Sequence, residues 1–284
     1  MRLGVNVPNF GPGTDPDVLH RWALAVEGLG FDLLMVSDHL VVTPDVAEQY
    51  PAPFYEPFTT LAWLAGATSR IRLGTTVLVA PYRHPLLVAR MAANLDRLSG
   101  GRLVLGVGVG WARQEFAALG VPFERRGALT DELIRTLRLA WSDPADYQSG
   151  SVPIWVGGNS DAGIRRAVRL GDGWHPLGFT MPWLRAALVR MRAVAEAQPR
   201  PMPELNPRIN LRLRPGPVTR PDRLAGEGSI EQVGDDLDEL RRLGARTVLL
   251  DPFNGDPAET TRPEAAWRDL ATVLDHWKTS CEEN

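Results

Sequence analysis

The chain has 284 residues, 44% hydrophobic and 23% charged, with a formal net charge of -3. That size and apolar content suffice for one large buried core, while the slight acidic balance offers no basic footprint for nucleic acid. A single cysteine, Cys281, excludes a disulfide framework and a cysteine-based metal site.

The opening MRLGVNVPNF lacks the charged region and long apolar stretch of a signal peptide, and no apolar run approaches a membrane span. A soluble, cytoplasmic protein is the expectation. Leu3 to Val7 reads as a first strand. Asp15-Pro16 supplies an N-cap with proline at the first helical position, and Val18, Leu19, Trp22, Val26 and Leu29 recur at helical spacing until Gly30. Leu33 to Val36 is a second strand, ending in Ser37-Asp38-His39. The long proline-rich loop from Leu40 to Pro57 carries Tyr50, Phe54 and Tyr55, and loops of this length in a compact domain tend to be functional. A helix follows from Phe58 to Thr68.

Ile71 to Val79 and Leu103 to Val109 are nearly continuous apolar runs, the pattern of strands buried on both faces in a parallel sheet. Between them Leu86 to Leu98 carries one apolar helical stripe. The two strands and this helix form a right-handed βαβ crossover with both strand exits on one rim. A small helical insert around Gln114 to Leu119 and a longer helix from Arg126 to Trp141 come next. Pro153 to Val156 is a fifth strand and Asp161 to Leu170 a helix. Gly171 to His175 is the sixth strand by position, followed by a helix from Met181 to Ala197. Ile209 to Leu213 is the seventh strand. Ser229-Ile230-Glu231-Gln232 has the capping-box pattern and opens a helix to Leu243. Thr247 to Leu250 is the eighth strand, and the last helix starts near Pro263. Eight strands alternating with helices predict a single α/β domain over residues 1–284, a closed (β/α)8 TIM barrel, with an open doubly wound sheet as the rival. A barrel brings every strand's C-terminal exit to one face.

Three stretches carry candidate chemistry. His39 at such a rim can exchange a proton near neutral pH, with Asp38 orienting it; alternatively Asp38 caps the loop and His39 only packs. Gly157-Gly158-Asn159-Ser160 turns a strand into a helix with its backbone N–H groups free to face an anion, or is a plain tight turn. Gly106, Gly108 and Gly110 leave room for a planar ligand or for close strand packing; their spacing and position do not match a dinucleotide-binding fingerprint. His175 beside Trp174 is a weaker pocket candidate, and His84-Pro85 reads as a helix entry. No set of His, Asp and Glu has convincing metal-ligand spacing, and no Gly-x-Ser-x-Gly elbow occurs.

Taken together, SDHL, the run LGTTVLVAPYRHPLLVARMAANLDRLSGGRLVLGVGVGW, PIWVGGNS and RLGDGW resemble the bacterial luciferase-like flavin monooxygenase superfamily, and most of all its F420-dependent oxidoreductase branch. The resemblance is strong from Leu3 to Trp174. It implies a barrel holding a deazaflavin, coenzyme F420, or in the alternative FMN, at its C-terminal mouth, with a small-molecule substrate over the ring. It places Asp38 and His39 beside the ring and a non-proline cis peptide at Thr76-Val77 behind it. Gly108, Gly110 and Gln114 match the positions lining the cofactor tail, and Gly157, Gly158, Asn159 and Ser160 its phosphate cradle. A homodimer is implied as well. The modest loop from Arg214 to Gly228 departs from relatives with a longer insertion there, leaving the pocket open or completed by a partner subunit.

Overall fold

The computed structural model describes residues 1–143, 147, 152–253 and 255–282; the side chain of Cys281 lies outside what is described. Nine strands and the short β4 make one sheet: β1 (Arg2–Asn6), β2 (Leu33–Val36), β3 (Arg72–Thr75), β4 (Leu78–Val79), β5 (Leu103–Gly108), β6 (Ile154–Gly157), β7 (Gly173–His175), β8 (Glu204–Leu205), β9 (Arg208–Asn210) and β12 (Thr247–Asp251). A two-stranded pair, β10 (Arg212–Leu213) with β11 (Glu227–Gly228), lies apart.

Every pairing is parallel. The order runs β8-β7-β6-β5-β3-β2-β1-β12-β9. The two ends of that path belong to one stretch of chain: β8 pairs with β7, β9 with β12, and Arg208 bridges to Leu177. The sheet therefore curls round on itself through residues 204–210.

Helices α1 (Pro16–Leu29), α3 (Pro57–Ala67), α4 (Pro85–Leu98), α6 (Arg126–Trp141), α7 (Asp161–Leu170), α8 (Met181–Glu196), α9 (Ile230–Arg242) and α10 (Pro263–Glu282) follow the strands, with the short α2 (Pro44–Ala47) and α5 (Arg113–Ala118) in loops. Their ends follow the sequence signals. The Asp15 carboxylate accepts from the Val18 amide at 2.7 Å, Gly30 closes α1 with φ 98°, His84 caps α4 ahead of Pro85, and Ser229 and Gln232 form the expected capping box.

Strand side chains alternate between two cores. Leu34, Val36, Leu105, Val248 and Leu250 join the large cluster shared with the helices, whereas Leu33, Met35, Val104, Trp155 and Leu249 form a separate cluster inside the curl of the sheet. That inner plug is apolar. Two residues further along β12, on the same face as Leu249, Asp251 begins a polar layer at the C-terminal rim.

The expected third strand, Ile71 to Val79, is broken: β3 ends at Thr75, a cis peptide joins Thr76 to Val77, and β4 resumes at Leu78. The expected seventh strand is corrected as well. Pairing with the main sheet occurs at 204–210, and Arg212–Leu213 pairs away from it with β11. Pro207, with no N–H to donate, interrupts the ladder, and the buried Asn206 and Arg208 are polar, so the true strand lacks the apolar run that marks the others.

Candidate functional site

A cavity of about 260 Å³ opens at the C-terminal rim. It is bordered by the exits of β2 (Asp38, His39), β3 (Thr76, Val77), β5 (Gly108 to Trp111), β6 (Gly157, Gly158) and β7 (His175), together with Arg208 and Tyr50. Tyr50 comes from the loop after β2, as that loop's length suggested. None of the bordering residues belongs to 214–228.

His39 is buried on one side of the cavity. Its ring lies 5.4 Å from Tyr50, nearly parallel, and meets Phe54 and Trp111 edge-on at 5.4 and 5.7 Å. Its Nδ1 is 2.6 Å from Oε2 of Glu115, on α5, while Nε2 makes no hydrogen bond among the described residues. Asp38 does not orient this imidazole, contrary to the sequence expectation. Its carboxylate accepts from both ends of the Arg83 guanidinium, at 2.7 and 2.8 Å, and from the Val79 amide at 2.8 Å. A planar guanidinium matches a carboxylate with two parallel hydrogen bonds, so Asp38 is turned to the strand-three exit. Arg83 also donates to Glu56 at 2.9 Å.

Glu115 is fully buried. Oε1 accepts from the amides of Leu40 (2.6 Å) and Val41 (3.0 Å), and Oε2 faces His39 and the Tyr82 hydroxyl (2.9 Å). Burial by itself raises a carboxyl pKa, but the hydrogen bonds from His39 and the two amides overcome it and hold Glu115 below its ordinary value. Tyr82 is pushed up by burial and by the adjacent carboxylate, so the phenol keeps its proton.

A second polar network borders the cavity through Thr76, His175 and Arg208. His175 is fully buried, with Nδ1 donating to the Asn206 carbonyl at 2.5 Å and Nε2 accepting from the Thr76 hydroxyl at 2.9 Å. Burial lowers its pKa to about 4, assisted by the charge of Arg208, so the ring is neutral. Arg208 donates to the Thr76 carbonyl at 2.9 Å and, through Nε (3.0 Å) and Nη2 (2.5 Å), to Asp251, whose other oxygen takes the Asn6 amide at 3.0 Å. The cation at the cavity edge is thus neutralised from behind.

The glycines resolve into two kinds. A Cβ on Gly108 would lie 2.4 Å from Val77 Cγ2, one on Gly157 3.0 Å from Val77 Cγ1, and one on Gly106 2.0 Å from the Thr75 carbonyl oxygen. Gly110, at φ 77°, faces Val79 and Phe116 in the same way. These residues make room for the Thr75–Val79 segment, so the volume assigned to a ligand at Gly106, Gly108 and Gly110 is filled by close strand packing. Gly158 differs: its φ of 112° suits glycine, and the space where a Cβ would project is open. That open turn lies next to the first amides of α7, where a backbone N–H group can face an anion. Asn159 clasps both backbone groups of Leu177, at 2.5 and 3.1 Å, and Ser160 caps α7 through the Gly163 amide at 3.1 Å. Gln114 is exposed and does not border the cavity.

A curled parallel sheet wrapped in helices, with a cavity at its C-terminal rim, gives the protein an α/β barrel-like fold. A luciferase-like monooxygenase family model matches residues 1–217. The chain belongs to the luciferase-like monooxygenase family, a family of enzymes. An F420-dependent glucose-6-phosphate dehydrogenase of Kineococcus radiotolerans is 31% identical over 196 residues, covering 61% of this chain and 56% of that protein. Among solved structures, an F420-dependent secondary alcohol dehydrogenase in complex with an F420-acetone adduct superposes with a TM-score of 0.78 at 16% identity, covering 97% of this chain and 98% of that one. The monooxygenase RslO1 from Streptomyces bottropensis gives 0.75 at 23% identity, covering 98% and 100%. At these identities the two structures speak for the fold. No helix among the described residues is long and apolar enough to cross a membrane.

Proposed function

We propose that this chain, folded as a single (β/α)8 domain, is an F420-dependent oxidoreductase that passes a hydride between the deazaflavin and a small organic substrate. The observation that carries the reading is the unbonded Nε2 of His39 on a cavity that Thr76 and Val77 also border. The F420-dependent names of the relatives support the choice of cofactor.

The residues present fit such a group. Thr76 and Val77 border the space for a planar ring, the backbone at Gly108 and Gly110 borders the cavity on the way to the tail, and Gly157, Gly158, Asn159 and Ser160 form the turn beside which an anionic tail would lie. When bound, F420 supplies a two-electron carrier that donates or accepts hydride. The protein's own share is placement and proton management. His39 Nε2 gives a proton to, or takes one from, the substrate oxygen as the carbon that bears it gains or loses the hydride. Asp38, through Arg83 and the Val79 amide, holds the two strand exits in register. Arg208 already has its counter-ion in Asp251.

The second reading is an FMN-dependent monooxygenase using reduced flavin and oxygen, favoured by the family's own name. Parallel equilibrium titrations of the purified chain with F420 and FMN separate the two. Saturable F420 binding is the expected result, and tight FMN binding without F420 binding overturns the first reading. The homodimer implied by family resemblance belongs to this proposal too, and light scattering in solution checks it.

A further inference from the structure

We propose that Glu115 is the positioning residue of this site: it fixes the tautomer of His39 with the proton on Nδ1, leaving the Nε2 lone pair to the cavity. The geometry leaves little freedom. Leu40 and Val41 present amide N–H groups, which can only donate, to Oε1. Oε2 lies 2.9 Å from a tyrosine hydroxyl and 2.6 Å from Nδ1. Two amides and the Tyr82 hydroxyl donate to this carboxylate, which is held below its ordinary pKa and is ionised, and an ionised carboxylate accepts only. The Nδ1 position facing it therefore carries hydrogen, and in a neutral imidazole the lone pair is then on Nε2.

The ring is also held in rotation. Tyr50 stacks on it, Phe54 and Trp111 pack against it in T-shaped geometry, and turning it over would take the Nδ1 partner from the fully buried carboxylate, leaving Oε2 with Tyr82 alone. When His39 takes up a proton, the positive charge forms next to Glu115. The same carboxylate clasps the first amides of the loop after β2, so the imidazole and the loop that brings Tyr50 to the cavity share one anchor.

The tautomer follows from the contacts alone; its catalytic consequence rests on the reading of His39 as the proton-transfer group. The test is imidazole nitrogen NMR on the full chain labelled at its five histidines, with the His39 signals identified by their loss in His39→Gln. In the wild type at a pH where the ring is neutral, Nδ1 should show the hydrogen-bearing, pyrrole-like signal and Nε2 the pyridine-like one. In Glu115→Gln the side-chain amide can donate to Nδ1, and the two signals should exchange. A wild-type His39 with hydrogen on Nε2, or a folded Glu115→Gln variant with an unchanged pattern, overturns the proposal. If that variant does not fold, the wild-type spectrum decides alone. With any substrate the wild type turns over, Glu115→Gln should lower kcat about 10²-fold with KM unchanged; a proportional change in KM would mark a merely structural role. Failure of the chain to bind either F420 or FMN would defeat the functional reading while leaving the tautomer result standing.

Discussion

Two buried histidines border the same cavity, and their hydrogen bonds set them apart. His175 spends both ring nitrogens, on Asn206 and Thr76, and sits in a closed circuit with Arg208 and Asp251. His39 spends one nitrogen on Glu115 and leaves the other toward the cavity. A closed circuit holds a wall; an open valence can exchange a proton with a ligand. Burial alone does not distinguish them, since both residues are largely inaccessible.

The comparison breaks most visibly at Arg208. Replacing it with methionine leaves Asp251, 1% exposed, without its cation. Breaking one partner of a buried pair costs about 3–5 kcal/mol, so the urea midpoint of Arg208→Met should fall steeply. The double variant Arg208→Met, Asp251→Leu should recover much of the loss, because the uncompensated charge is gone. A single variant of native stability would show that the circuit is not what holds this wall.

For the other histidine the expected effect is on rate. His39→Gln should retain the fold and cofactor affinity while turnover drops by about 10²–10⁴-fold, the usual contribution of a positioned acid or base. Turnover within threefold of the wild type would remove His39 from the chemistry. The same substitution at His175 should act chiefly on stability.

Much of this arrangement was legible beforehand, and what was not shares a cause. Helix ends at Asp15, His84 and Ser229 are local events, recorded in a few adjacent residues. The apolar strands announce themselves because both their faces are buried. Glu115, Tyr82 and Arg208 carry no such mark. Glu115 reaches His39 across 76 residues, and Arg208 reaches Thr76 across 132. The alternation of Asn206 and Arg208 with Leu205 and Ile209 is the local sign that this strand buries polar groups. Asp38-His39 shows the opposite error: adjacency in sequence suggested a pair, yet successive residues at a strand end point to different faces.

His175 sharpens the comparison through pH. Its native pKa is about 4, against an ordinary value of 6.5. As pH falls between those values the unfolded chain takes up a proton that the native ring refuses, so stability is lost over that window and levels off below it. The wild type should lose up to about 3 kcal/mol more than His175→Gln between pH 6.5 and 4, measured as the difference between urea midpoints at each pH. Parallel curves for the two proteins would mean that the ring protonates in the folded state as readily as in the unfolded chain.

The smallest expected effect concerns neighbours on α5. Gln114 and Glu115 are adjacent on a six-residue helix, about 100° apart around its axis. One is exposed and the other fully buried. Gln114 engages the rest of the molecule through its backbone amide, which donates to Asp45 at 3.2 Å, and that bond survives any side-chain change. Gln114→Ala should therefore stay within about 0.5 kcal/mol of the wild type and leave cofactor affinity and the His39 tautomer where they are. A fall in F420 or FMN affinity on this substitution would return Gln114 to the cofactor tail and place the ligand further across the rim than the cavity extends. An unchanged titration beside an exchanged tautomer in Glu115→Gln would show that one step along this helix separates a solvent face from the anchor of the imidazole.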